Sequence, residues 1–168
     1  MKTRLISLVA ALVLLVGCCF AENEGVDDLH YDRFYLVLPE MDLRADPKTP
    51  GKIDTIYAGQ ELEVLSTEGI WTTFKYTKDG EEKTGCTWTG AISPAVRIHL
   101  LEDEFVFRLP YDDREDYGLI SSWREPSDPD LLILWEEMHN DQKWYYVVIL
   151  PDCRGGYMKA TAQFEIVE

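Results

Sequence analysis

The chain has 168 residues, with 31 Asp and Glu against 16 Lys and Arg and a net charge of −15 at pH 7. A surface this acidic argues against nucleic acid as a partner, because phosphate binding needs a basic patch, and it disfavours anionic membrane surfaces too. The length suffices for one medium domain or two small ones.

Lys2 and Arg4 form a short basic start. An apolar run from Leu5 to Val16 follows, interrupted by a polar group only at Ser7, and an acidic stretch runs from Glu22 to Asp28. An apolar run of about a dozen residues fits an export signal and is short for a spanning helix. Leu15-Val16-Gly17-Cys18 resembles the lipobox of bacterial lipoproteins, in which two apolar residues and a small one precede a cysteine. That resemblance implies a diacylglycerol joined to the Cys18 thiol, cleavage before Cys18, and stable anchoring by more than one acyl chain. A second reading is cleavage after Ala21, since Cys19-Phe20-Ala21 has small residues at both recognition positions; it releases a soluble protein. A third leaves Cys18 and Cys19 as ordinary small residues of the signal. Losing residues 1–17 removes Lys2 and Arg4, leaving 14 basic residues against 31 acidic ones and a net charge of −17.

Beyond the signal no long window carries helical apolar spacing. Short alternating, β-branched and aromatic runs dominate, parted by Gly, Pro and Asp, which predicts an all-β protein of small-barrel or sandwich type. Strands are expected at Phe34–Leu38, Glu61–Ser66, Trp71–Thr77 and Thr84–Thr89, with Thr72, Phe74 and Tyr76 on one face of the third. Asp46–Gly51, with Pro47 and Pro50, reads as a loop, and Lys78-Asp79-Gly80 as a tight turn. A 3₁₀ turn is expected near Ala91–Pro94. Further strands are expected at Val96–Leu101, Phe105–Arg108, Leu131–Trp135, Lys143–Leu150, Gly156–Lys159 and Gln163–Val167.

Residues 34–98 carry, in order, Leu43-Arg44-Ala45-Asp46-Pro47, Gly59-Gln60-Glu61-Leu62-Glu63-Val64-Leu65, Gly69-Ile70-Trp71-Thr72-Thr73-Phe74 and Thr87-Trp88-Thr89. This series resembles the bacterial SH3-like (SH3b) family: its Arg-and-Pro loop, its Gly-x-x-apolar-x-Val strand, its Gly-x-Trp strand and its Gly-Trp-Val strand, with Thr87 standing where the family has glycine. Residues 99–168 resemble a second, diverged copy through Val106-Phe107-Arg108-Leu109-Pro110, Leu131–Trp135, Gln142–Val147 and Gly156-Tyr157-Met158. Displacements of 69 from Val64 to Ile133, 73 from Trp71 to Trp144 and 69 from Trp88 to Tyr157 are what a duplication with small loop changes produces. The expected organisation is a signal at 1–17, a tether at 18–32, and two small SH3-like barrels in tandem at 33–98 and 99–168. A domain of about 65 residues has a thin core, so packing two copies together adds stability.

Catalytic and cofactor motifs are missing from this reading. His30, His99 and His139 lie in no nucleophile or metal pattern, and phosphate loops and dinucleotide fingerprints are lacking. No metal ligands are assigned. Asp112, Asp113, Glu115, Asp116, Asp128 and Asp130 read as solvated loop acids, with a weak calcium site as the alternative. Cys86 and Cys153 are open to three readings. They are two free thiols, or a disulfide that export permits and that closes a loop of 67 residues, or, least favoured, metal ligands. The aromatics are the functional lead. The resemblance places Trp71, Trp88, Trp144 and Tyr157 at or beside a ligand groove, where rigid rings suit an extended peptide; the competing reading has them fill small cores. For Trp123 and Trp135 the core is expected. The resemblance thus implies a non-enzymatic, cofactor-free binding module of the bacterial cell envelope, recognising peptidoglycan peptide or an envelope protein segment. The alternative is a structural or host-facing surface lipoprotein whose barrels serve as scaffold.

Overall fold

The structure, a computed structural model, describes residues 29–102, 104–110 and 130–167. The export signal, Cys18, Ala21, most of the tether, Trp123 and the acids from Asp112 to Asp128 lie outside the described residues. Eleven strands make the described chain all-β, as expected: β1 (Arg33–Leu36), β2 (Glu40–Leu43), β3 (Asp54–Tyr57), β4 (Glu61–Glu68), β5 (Trp71–Lys78), β6 (Glu81–Trp88), β7 (Ile92–Leu100), β8 (Leu131–His139), β9 (Gln142–Ile149), β10 (Arg154–Lys159) and β11 (Phe164–Ile166). Helical geometry among the described residues is limited to one 3₁₀ turn at Thr89–Ala91. The turn expected at Lys78-Asp79-Gly80 forms, with Asp79 and Gly80 at positive φ between β5 and β6; Asn140 and Asp141 between β8 and β9 also take positive φ.

Nine strands join in one sheet of order β10-β9-β8-β7-β1-β4-β5-β6, with β11 also on β7; β2 and β3 form a separate ribbon. The sheet does not close into barrels. Among the described residues its two ends, β6 and β10, are each met by an isolated bridge, Arg44↔Cys86 and Phe107↔Tyr157. The segment around Phe105–Arg108, expected as a strand, contributes no more than such contacts. The boundary expected between residues 98 and 99 falls inside β7, whose first half pairs with β1 and whose second half pairs with β8 and β11. Pro94 tolerates this because Ile92–Ala95 pair with β1 alone, so the edge facing away from β1 has no strand needing its missing N–H.

The pairing pattern occurs twice. β1 lies between β4 and the first half of β7; the second half of β7 lies between β8 and β11. β4 and β8 each bulge at the same place, between Val64 and Ser66 and between Ile133 and Trp135. Arg33 pairs with Glu61 at 3.6 Å, and at the equivalent place Arg97 pairs with Asp130. Gly85 and Gly156 are equivalent and share a reason: a neighbouring segment crosses them. A Cβ on Gly85 would meet Leu43 Cδ1 at 3.0 Å, and one on Gly156 would meet Val106 Cγ1 at 2.2 Å. The copies differ in length at their hairpins. β8–β9 runs two pairs further than β4–β5, and β9–β10 stops two pairs short of β5–β6. The second difference corrects one sequence equivalence. Trp71 pairs with Trp88 and Trp144 with Lys159, so Lys159 stands in the place of Trp88, and Tyr157 in that of Cys86.

Each half has its own core. Leu36, Leu43, Ile56, Leu62, Phe74 and Tyr76 fill the first; Ile98, Val106, Leu131, Ile133, Val147 and Met158 are central to the second. A third cluster, of Tyr35, Ala95, Leu132, Val148 and Leu150, joins the halves. Gly59 belongs to this seam: a Cβ there would sit 2.5 Å from Leu150 Cδ1. Each buried Leu or Val side chain stabilises the fold by roughly 1.5–3 kcal/mol.

Candidate functional site

In the first half, alternation along β5 sends Thr72, Phe74 and Tyr76 inward and leaves Trp71, Thr73 and Lys75 on the other face. Trp71 faces Trp88 directly across the ladder. Trp88 remains 50% exposed, the larger ring of its indole lying against the backbone of Gly90, where a Cβ would come within 2.6 Å of it. Arg44 completes the group, its guanidinium carbon 4.7 Å from the Trp71 ring centroid. Backbone holds it there: Arg44 N–H donates to the Cys86 carbonyl at 3.0 Å and Cys86 N–H to the Arg44 carbonyl at 2.9 Å. Beneath the pair, the buried Thr72 hydroxyl lies 3.2 Å from that of Thr67 and 2.9 Å from that of Thr89, fixing the start of β5. Ile70, at the hairpin tip, is exposed.

The nearby loop consumes its own carboxylate. Asp46 accepts the backbone N–H groups of Lys48 and Thr49, each at 2.8 Å, and the Thr49 hydroxyl at 2.6 Å. The Thr49 hydroxyl, then the two N–H groups, hold its carboxyl below the usual carboxylate range. Among the described residues Arg44 makes no ion pair, and its guanidinium packs against the Trp71 ring.

The equivalent place in the second half is closed. Trp144 is only 5% exposed. Phe107 meets it edge-on, centroids 5.7 Å apart, and Lys159 Nζ lies 5.7 Å from the Trp144 ring and 5.8 Å from that of Phe107. Each tryptophan is thus flanked by one cation and one aromatic, with the positions exchanged. The crossing segment supplies Arg44 in one half and Phe107 in the other; the third strand of the meander supplies Trp88 in one and Lys159 in the other. The Trp144 indole N–H is buried without an acceptor among the described residues.

Tyr157 lies one row away, opposite Tyr146 and edge-on to it at 5.1 Å. Burial, then the Glu137 carboxylate, raise its hydroxyl above the usual phenol value. Trp135 stacks on the other side of Tyr146 at 4.0 Å and is 41% exposed, not core as expected. The structure therefore brings together Trp71 with Trp88, and Tyr157 with Tyr146 and Trp135, while Trp144 sits under Phe107. The part played by Arg44 escaped sequence reading; an arginine placed to cross the middle strands was its only signal.

Cys86 and Cys153 are both free thiols, the first fully buried. Cys86 lies on β6 and Cys153 in the turn before β10, and burial raises both above the usual thiol value. Asp130 bonds Arg97 and lies 3.6 Å from His99 Nδ1. Among the described residues, no three His, Cys, Asp or Glu side chains gather as metal ligands do. The chain matches no protein-family model, and a search of curated proteins finds no match to it.

Proposed function

We propose that the chain is a non-enzymatic, exported binding module of the bacterial cell envelope, anchored through Cys18, whose two halves are SH3-like units merged through β7. Its ligand is an extended peptide, either a peptidoglycan stem peptide or an envelope protein segment. One observation carries this reading. Trp88 and Trp71 lie side by side with half of Trp88 open to solvent, whereas the second half covers its equivalent tryptophan with its own Phe107. Tryptophan is expensive to leave exposed and is enriched where partners dock, and a pair of flat rings suits an extended chain. The repeated strand pattern supports the SH3-like assignment, and the lipobox-like Leu15–Cys18 supports the anchor. Binding to purified cell wall tests the proposal. Wild type is expected to bind and Trp88→Ala to lose binding; failure of the wild type on every wall preparation refutes it. Mass spectrometry of the N-terminus tests the anchor, since an unmodified start at Glu22 contradicts lipidation.

A further inference from the structure

We infer that the open site reads a carboxylate on its peptide ligand through Arg44; this rests on the peptide-binding reading above. The chain carries 31 acidic side chains against 16 basic ones, yet among the described residues the half-buried Arg44 guanidinium has no carboxylate partner. Asp46, two residues on, is bonded to Lys48 and Thr49. Three lysines of this half do take carboxylate partners: Lys52 with Asp42 at 2.7 Å, Lys75 with Glu82 at 3.3 Å, and Lys78 with Asp54.

The contact with Trp71 matters for the chemistry. A guanidinium packed against an indole loses freedom of movement, while its N–H donors lie in its own plane and point outward within it. That fork matches the two oxygens of a carboxylate, and its orientation is settled before the ligand arrives, which lowers the entropy lost on binding. The peptide's apolar side chain then lies on Trp88 while its carboxylate meets Arg44. The second half lacks this arrangement, because Phe107 replaces the arginine and Lys159 offers a point charge directed at two rings.

The test uses the stem tetrapeptide L-Ala–D-isoGlu–L-Lys–D-Ala as probe, beside the same peptide with both carboxylates converted to amides. Binding is followed by tryptophan fluorescence and calorimetry. Wild type is expected to prefer the acid form by about ten- to a hundredfold, as a charge-assisted bidentate contact provides. Arg44→Gln and Arg44→Lys are both expected to erase that preference, the lysine because it keeps charge without the fork; Trp88→Ala weakens both forms. Near-UV circular dichroism verifies that each variant is folded, and because Arg44 is held through its backbone, both variants are expected to be. Equal binding of the two forms, or a preference that survives Arg44→Gln, overturns the inference and leaves peptide binding standing. If neither peptide binds and the wild type also fails on whole wall, the peptide-binding reading and the inference fall together.

Discussion

The two halves of the molecule run one ladder pattern to opposite ends. Both have a first strand flanked by meander and closing strand, a bulge in the same place, an Arg–carboxylate pair and a glycine under a crossing segment. Around the tryptophan at the head of the middle strand they part. The first half leaves Trp71 and Trp88 accessible under Arg44; the second buries Trp144 beneath Phe107 and spends Lys159 on the same rings. The repeated backbone pattern is the same in both halves, and the proposed binding surface lies where the side chains at equivalent positions differ. A cation beside the indole occurs in both copies, so that contact does not distinguish them; the half-exposed Trp88 and an arginine in the place of Phe107 set the first copy apart.

The comparison can be broken first at the seam. Leu132 is fully buried between the halves, and Leu132→Ala is expected to cost about 2–5 kcal/mol. Because β7 serves both halves, unfolding in urea is expected as one transition, coincident by circular dichroism and fluorescence; two separated transitions would make the halves independent. Next come the paired glycines. Gly156→Ala drives a Cβ into Val106 and the Phe107 carbonyl and is expected to cost about 3 kcal/mol, while Gly85→Ala meets only the flexible end and stem of Leu43 and costs about 1 kcal/mol. Equal costs would mean that the two crossings are equally tight, against the geometry described. A smaller difference concerns acid. Lys78, the Thr55 N–H and the Tyr76 hydroxyl hold the Asp54 carboxyl well below the usual carboxylate range. Its contribution is therefore complete above the unfolded value of about pH 4 and is lost as pH falls through the folded value. Asp54→Asn should flatten the acid limb of the stability curve, measured by urea midpoints from pH 7 downward. An unchanged limb would discount the network. Smallest is Tyr31→Phe beside the second core. The Tyr31 hydroxyl is buried without a partner among the described residues and its pKa is pushed up to about 12, by burial before the Glu136 charge. Removing it is expected to stabilise by about 1 kcal/mol or less, read as a slightly higher midpoint.

Much of this was legible in the residues. Alternation placed Thr72, Phe74 and Tyr76 on the inner face of β5, and Asp79-Gly80 and Asn140-Asp141 supply the turn conformations. The repeat was visible through Val64 and Ile133 and through Trp71 and Trp144. Other features depend on what lies across space. β2 and β3 are four residues each, too short to show a period. The shorter β9–β10 hairpin moved Tyr157 out of the place of Trp88, because a turn-length change shifts register without altering the pattern on either side. The sharing of β7 is hidden because Ser93, Pro94, Arg97 and His99 interrupt its apolar residues, and Pro94 reads as a break until its pairing with β1 is known. The exposure of Trp135 is decided by the bulge beside it, and that of Trp88 by the Gly90 backbone under it, neither of which composition reports.

Equilibrium binding to purified cell wall, compared among wild type, Trp88→Ala and Lys159→Ala, tests most directly the claim that one half binds and the other does not. The account predicts that Trp88→Ala weakens binding at least tenfold, about 1.4 kcal/mol, and that Lys159→Ala leaves it unchanged, although Lys159 occupies the same ladder position as Trp88. Equal losses in the two variants, or full binding by Trp88→Ala, would contradict it.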